Sequence, residues 1–370
     1  LPAEPKIFYG RDLEVVDILK LFNQGTPRIA ILGAGGMGKT SLARTALHHE
    51  QITTRYQGNQ FFIKCDTASS KVELAGLIGR HLGMKPGKDL TQTVLEHLTS
   101  APPSLLILDN LETPWEPVKC RKEIEEFLSL LTDVASLAPL VWAERPAKVQ
   151  WTQPFLMPLQ PLTQDAARKM FIDIADDEHS MEEVDQILHL ADNMPLAISL
   201  LAHLVDVEDC STILSRWEIE KTLLISDGYD KRSNLELSIS LSLPSPRITA
   251  VPHPHELLAL LSILPDGLSD LELKQSKFPI KDILGCKSAL LRTALAYTDD
   301  HKHLKVLVPV REYMGRCLPP TDSIIRPLLA HFNKLLELHT MVFGKESGAL
   351  PIARITSNYT NIQNVLQYGL

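Results

Sequence analysis

Gly33-Ala34-Gly35-Gly36-Met37-Gly38-Lys39-Thr40-Ser41 (GAGGMGKTS) is the stretch from which the rest of the chain is read. Gly33, Gly38, Lys39 and Thr40 fall on the four fixed positions of the phosphate-binding loop pattern. Arg28 to Leu32 (RIAIL) predicts a short buried strand before it, and Leu42 to His48 (LARTALH) predicts a helix after it. That strand-loop-helix setting is what makes the pattern a site. The glycines let the backbone curl, so that the N–H groups of Gly33, Gly35, Gly36, Met37 and Gly38 face phosphate oxygens beside the positive end of the helix. Lys39 is predicted to reach the β and γ phosphates, and Thr40 to place its hydroxyl on Mg²⁺, with Ser41 next in line. A glycine-rich turn that only packs a helix on a sheet is the alternative, but it has no use for the lysine-threonine pair.

Downstream, Gln60 to Cys65 (QFFIKC) predicts a second strand with Asp66 at its exit, and Val72 to Leu82 a helix. Ser104 to Asn110 (SLLILDN) is an apolar run ending in an acid. A buried strand delivers such a carboxylate to the sheet edge where the phosphate loop also lies, so Asp109 is predicted to hold Mg²⁺ through water. Rapid ATPases usually carry a second acid next, to orient the attacking water. Asn110 cannot take a proton and the nearest acid is Glu112, so slow hydrolysis is expected from the set Lys39, Asp109, Asn110 and Glu112. Glu123 to Leu131 predicts a helix, and Leu140 to Trp142 a short strand ending near Arg145. Arg145 reads either as a γ-phosphate contact or as an ordinary loop arginine. Phe155 to Leu159 is the last strand candidate, and Pro154, Pro158 and Pro161 mark a boundary. Upstream, Lys6 to Arg11 (KIFYGR) leads into a helix capped by Asp12 and running through Phe22, with Leu13, Val16, Leu19 and Leu21 or Phe22 inward. Arg11 is either a nucleotide contact or a surface arginine at a helix start.

Beyond Pro161 the strand-helix alternation stops. Thr163 caps a helix through Phe171 and Ile174; Met181 to Ala191 and Leu196 to Val205 make two more, the last after the turn Asp192-Asn193-Met194-Pro195. Asn234 to Leu243 and the proline-rich Pro244 to Pro254 read as a joint. A helix from His255, a second near Ile280 to Lys287, a third from Ser288 into Ala294, and strands Leu295 to Tyr297 and Leu304 to Val308 around a polar turn together predict a winged-helix unit. From Thr321 another helix carries Ile325, Leu328, Leu329, Phe332, Leu335 and Leu336 on one face with no partner within the chain, and Ile362, Val365 and Leu366 begin a second such face. The fold class expected is α/β: a P-loop NTPase domain with a parallel sheet (1–160), a small helical domain (161–235), a winged-helix domain (236–318) and the start of a helical, tetratricopeptide-like array (319–370).

The bulk numbers agree with a multidomain chain. At 370 residues it is too long for one ordinary core. Its 44% hydrophobic and 22% charged residues are those of a soluble protein, and no apolar run approaches a bilayer span. It opens at Leu1 without a signal-peptide pattern and reads as a fragment of something longer. A net charge of -8 without a basic stripe disfavours nucleic acid. The scattered Cys65, Cys120, Cys210, Cys286 and Cys317 predict reduced thiols and a cytoplasmic location. The histidine pairs 48/49, 253/255 and 301/303 lack companions at zinc spacing and read as surface histidines.

With these parts in order, the chain from Lys6 to Leu318 resembles the NB-ARC branch of the STAND signalling NTPases, and in flavour the fungal members that continue into tetratricopeptide repeats. GAGGMGKTS looks like that family's phosphate loop. IFYGR looks like its adenine-side opening element, which implies Arg11 as a nucleotide contact, and DNMPLA (Asp192–Ala197) resembles its GxP motif, which implies Pro195 against the adenine. Asn193 replaces the motif's glycine, and asparagine also accepts positive φ. LVWAER (Leu140–Arg145) carries Ala143 where the family has a threonine before its arginine sensor. Leu307, Val308 and Pro309 stand before Arg311–Tyr313 (REY), where the family has an ADP-binding histidine. The resemblance implies a switch: ADP with Mg²⁺ holds a closed form, exchange for ATP opens it, and opened subunits self-associate to drive an effector domain or protein not identified by this sequence. A small-molecule phosphotransferase and a nucleotide-plugged scaffold without turnover are the competing readings.

Overall fold

The computed structural model describes residues 1–85, 89–115, 118–142, 149–175, 179–205, 208–225, 235–244, 246–293, 295–299, 301–342 and 349–369. The chain divides into two units, Leu1–Asp173 and Ile174–Leu370.

The first unit alternates helix and strand: α1 (Asp12–Asn23), β1 (Ile29–Ile31), α2 (Lys39–His48), α3 (Glu50–Tyr56), β2 (Gln60–Lys64), α4 (Lys71–His81), α5 (Leu90–Ser100), β3 (Ser104–Asp109), α6 (Glu112–Trp115), α7 (Val118–Asp133), β4 (Leu137–Trp142) and α8 (Gln164–Ala175). Among the described residues the strands form one sheet in the order β1-β4-β3-β2, every pair parallel. β3 is buried along its whole length, as a central strand covered on both faces must be. On one face Ile63, Leu106 and Leu108 pack with Leu74, Ile78, Val94, Leu98 and Phe127 of α4, α5 and α7. α1, α2 and α3 pack on one another, with the Phe22 and Tyr56 rings edge-on at 5.9 Å. Because β4 is inserted between β1 and β3, the strand order reverses beside β1, and the crevice above the carboxyl ends opens there.

Several expectations for this unit change. The cap residue of α1 is Arg11 rather than Asp12, and Leu13 and Val16 are 78% and 44% exposed; the buried stripe is Ile18, Leu19, Leu21 and Phe22. The strand expected over Phe155–Leu159 shrinks to one parallel bridge, Leu159 to Gly33. Pro154 and Pro158 have no N–H to give a ladder, and Leu159 donates to the Leu32 carbonyl at 2.7 Å. α3 and α5 are additional to the helices expected from the sequence; Ile52 and Tyr56 are the buried residues of α3, and Val94 and Leu98 those of α5.

The second unit is largely helical: α9 (Met181–Ala191), α10 (Pro195–Val205), α11 (Cys210–Glu220), a 3-10 turn (Lys221–Ile225), α12 (Leu235–Ser242), α13 (Pro246–Thr249), α14 (Pro254–Ser262), α15 (Asp270–Gln275), α16 (Ile283–Arg292), β5 (Tyr297–Thr298), β6 (Leu304–Lys305), α17 (Val308–Cys317), α18 (Asp322–Val342), α19 (Ala349–Ser357) and α20 (Tyr359–Gly369). The two helices expected from Ile280 to Ala294 are one, α16, unbroken at Lys287. The missing helix is α15, opened by a capping box in which the Ser269 hydroxyl takes the Glu272 N–H and the Glu272 carboxylate takes the Ser269 N–H. β5 and β6 pair antiparallel, and Leu304 also bridges Leu268. α18 is not without a partner: it packs on α14, α19 and α20, and buries Ile324, Ile325, Leu328, Phe332 and Leu335.

Candidate phosphate-binding site

The loop residues come together at the carboxyl end of β1. Gly38 caps α2 at φ 85°, a left-handed conformation that glycine adopts without the Cβ penalty. The turn before it closes through the Met37 N–H on the Ala34 carbonyl at 3.3 Å, and α2 begins with the Leu42 N–H on the Gly38 carbonyl at 2.9 Å. Met37 is buried and Gly35 is exposed at the loop's crest, while Gly33, Gly36, Gly38, Lys39, Thr40 and Ser41 are half-buried. Lys39 reaches back across the loop, its Nζ donating to the carbonyls of Gly33 at 2.8 Å and Ala34 at 3.0 Å. The ammonium is therefore held at the hollow's mouth by carbonyls that an incoming phosphate oxygen can replace as partners.

Thr40 and Asp109 are 69 residues apart in sequence, yet the Thr40 hydroxyl donates to the Asp109 carboxylate at 3.0 Å. Asp109 is fully buried at the end of β3, whose terminal carbonyl also accepts the Cys65 N–H at 2.8 Å. A hydroxyl and a carboxylate, both hard oxygen donors, beside a phosphate loop fit Mg²⁺, which takes one or two protein oxygens and completes its octahedron with water and phosphate. Asn110 follows at φ 56°, and its amide donates to the Asp66 carboxylate. Positive φ suits asparagine and aspartate better than glutamate there, so the backbone alone does not require an amide. Glu112 opens α6, but its side chain lies outside what the structure describes.

Arg11 is only 5% exposed. Its Nη1 donates to Glu14 at 2.9 Å, and its Nη2 to the carbonyls of Met37 at 3.3 Å and Gln160 at 2.6 Å. Of the two readings, a surface arginine is set aside by this burial. The partner Gln160 carried no sequence signal, because a main-chain carbonyl is blind to residue type. Arg145 lies outside the described residues.

Pro195 belongs to the second unit, where it opens α10. Asp192 and Asn193 turn the chain at φ 50° and 53°, so the asparagine in the glycine position does adopt the positive φ expected of it. Asp192 also takes the Val308 N–H on its carboxylate at 3.2 Å, capping α17 where the resemblance calls for a histidine. Burial holds this carboxyl above the usual carboxylate range, against the Val308 N–H, Arg311, His189 and Lys305, which pull it down. With the folded value raised, the unfolded chain loses its proton first, so stability declines as pH rises from about 4 through the folded value and is level above it. Asp192→Asn keeps an acceptor for Val308 and is expected to flatten that decline, read as hydrogen-exchange protection of the α17 amides between about pH 4 and 8. An unchanged slope would assign it to other groups.

Among the described residues no helix is long and apolar enough to cross a membrane. The sequence profile of the family described as Novel STAND NTPase 1 matches residues 2–207. Over 118 residues, 30% of this chain, the sequence is 31% identical to Putative disease resistance protein RGA4 of Solanum bulbocastanum, and that match spans 12% of the relative's length. A Walker-type ATPase of Pyrococcus abyssi is similar with a TM-score of 0.55 at 14% identity, covering 85% of this chain and 98% of that one. That likeness speaks to the fold alone, an α/β P-loop NTPase fold with a parallel sheet and helical regions. A STAND protein with a tetratricopeptide repeat sensor from Pyrococcus horikoshii aligns over 99% of this chain and 50% of that one, at 15% identity and a TM-score of 0.39, too low to rest anything on. The family match runs over more than half of the sequence and takes in the loop, the whole sheet and α8 to α10, so the chain belongs to the Novel STAND NTPase 1 family of P-loop NTPases, which implies a nucleotide-binding switch.

Proposed function

We propose that the chain is an adenine-nucleotide switch that binds ADP or ATP with Mg²⁺, hydrolyses ATP slowly, and self-associates when ATP is bound. The observation that carries this is the Thr40–Asp109 hydrogen bond at the foot of the loop that Lys39 spans. Phosphates would be held by the N–H groups of Gly33 to Ser41 and by Lys39; Mg²⁺ would be held by Thr40 and Asp109. The metal would neutralise charge on the β and γ oxygens. Arg145 and Pro195 are proposed as γ-phosphate and adenine contacts by resemblance. In this reading 1–160 binds nucleotide, 161–235 is the helical domain, and 236–318 is the winged helix, supported by α14, α15, α16 and the β5–β6 hairpin. Residues 319–370 begin a tetratricopeptide-like array, and the partner is an effector domain or protein rather than nucleic acid.

Sedimentation of the protein with ADP and with a non-hydrolysable ATP analogue, each with Mg²⁺, tests the reading; a larger species is expected only with the analogue, and the same species in both would overturn it. Asp109→Ala is expected to keep ADP while losing about ten- to a hundredfold of the gain that Mg²⁺ gives to ATP binding, the worth of one charge-assisted contact. Titration calorimetry with and without EDTA reads this directly. The nucleotide-plugged scaffold is the second reading, favoured by Asn110, which is turned at positive φ and tied to Asp66 rather than poised as a base. Exchanging the pair, Asp66→Asn with Asn110→Asp, keeps their hydrogen bond and puts an acid after Asp109. A rise in single-turnover hydrolysis is expected, while no rise would favour the plug.

A further inference from the structure

We infer that Arg11 is a positioning residue for phosphate recognition: by gripping the Met37 carbonyl it turns the Gly38 N–H into the hollow of the loop. The inference rests on the nucleotide-binding reading above and assigns Arg11 a role through the protein instead of on the base.

The peptide plane supplies the first step. Among the described residues the cis bond is Gln153–Pro154, so Met37–Gly38 is trans, and the carbonyl of one residue and the N–H of the next point to opposite sides. Holding the Met37 oxygen on the Arg11 side therefore aims the Gly38 N–H the other way. On this inference that direction is the inner side of the loop, across which Lys39 reaches the Gly33 and Ala34 carbonyls. Gly38 is also the cap of α2, so its N–H stands at the positive end of the helix, where an anion gains most.

The grip is anchored rather than mobile. Arg11 Nη2 holds the Gln160 carbonyl as well as that of Met37. Gln160 follows Leu159, which is bonded to the carbonyl of Leu32 and bridged to Gly33 at the sheet edge. Glu14 fixes the other arm of the fork. Gly10, at φ 65°, brings this segment against α8 so closely that a Cβ there would lie 2.4 Å from that of Ala166. Arginine suits the task because its planar fork donates in several fixed directions at once, whereas a lysine ammonium is a single centre on a flexible stem.

The closing experiment uses ADP and AMP, which share base, ribose and first phosphate but differ in the β-phosphate that the loop cradles. Arg11→Gln is expected to lower ADP affinity about tenfold, the worth of one charge-assisted hydrogen bond, and to leave AMP affinity unchanged. The Gly38 amide resonance, which should shift strongly downfield when the wild-type protein takes ADP, should shift less in the variant. Arg11→Lys, retaining charge and stem, is expected to recover part of the ADP affinity, and it also serves if Arg11→Gln does not fold. Equal losses for ADP and AMP would overturn the inference in favour of a base or ribose contact, and an unaltered Gly38 shift would overturn it as well. A wild-type protein that binds neither nucleotide would instead bring down the nucleotide reading itself.

Discussion

Lys39→Ala is expected to leave the protein folded and to yield little or no nucleotide on denaturation, where the wild-type protein yields ADP. The ammonium reaches the Gly33 and Ala34 carbonyls of a half-buried loop, where water can take over as donor to those acceptors. Its loss removes a full charge and its hydrogen bonds from beside phosphates carrying several negative charges. A hydrogen bond to a charged group contributes about 1.5–3 kcal/mol, so one or two of them correspond to a hundredfold or more in affinity. A ligand that survives purification at nanomolar affinity would then wash out. Chromatography of the supernatant from denatured protein reads the outcome, with circular dichroism to verify the fold. Equal nucleotide from both proteins would remove Lys39 from the site.

Much of that site was legible because its chemistry is local. Gly33 to Ser41 binds through main-chain N–H groups whose arrangement is set by neighbouring residue types, and the run from Ser104 to Asp109 is uniformly apolar because the strand is buried on both faces. Their meeting at 3.0 Å follows once both are placed at carboxyl ends of parallel strands. What the residues do not carry is pairing across long separations. Nothing in Leu137–Trp142 announces that it lies between β1 and β3, and nothing in Gln160 marks its carbonyl as a partner for Arg11. Periodicity misleads where a helix is covered only in part: α1 buries its C-terminal half, so spacing points Leu13 and Val16 inward although both stay exposed. α15 was the reverse case, too short for periodicity but marked by Ser269 and Glu272 at cap spacing.

Asn361→Leu is expected to destabilise the second unit by about 3 kcal/mol, far more than loss of a surface amide. α20 docks beside the turn between α14 and α15 through a buried polar clasp in which Asn361 and Asn358 are fully buried and Glu272 is 2% exposed. The Asn361 amide donates to the Gly267 carbonyl at 2.7 Å and to the Asn358 side chain at 3.1 Å, while its oxygen takes the Asp266 N–H at 3.0 Å. Its own N–H goes to the Asp266 carboxylate, and Asn358 passes the chain on to Glu272 at 2.6 Å. Leucine has the same branched outline but is bulkier and offers no partner, which leaves the buried Gly267 carbonyl and Asn358 oxygen and the part-buried Asp266 N–H unmatched, at about 1–3 kcal/mol for each buried atom before relaxation. Asn364→Ala removes one bond, to the Ile263 carbonyl at 3.0 Å from a half-buried position, and is expected to cost about 1 kcal/mol. Hydrogen exchange of the α14, α15 and α20 amides in the full chain separates the two cases, and equal protection in both variants would mean that the apolar contacts of Ile362 and Val365 hold α20 unaided. The clasp also bears on specificity: an apolar face tolerates sliding by a turn, whereas Asn361 finds both its acceptor at Gly267 and its donor at Asp266 in only one register. Loss of protection spreading from α20 into α15 would therefore show that the polar contacts fix where this helix docks as well as how firmly.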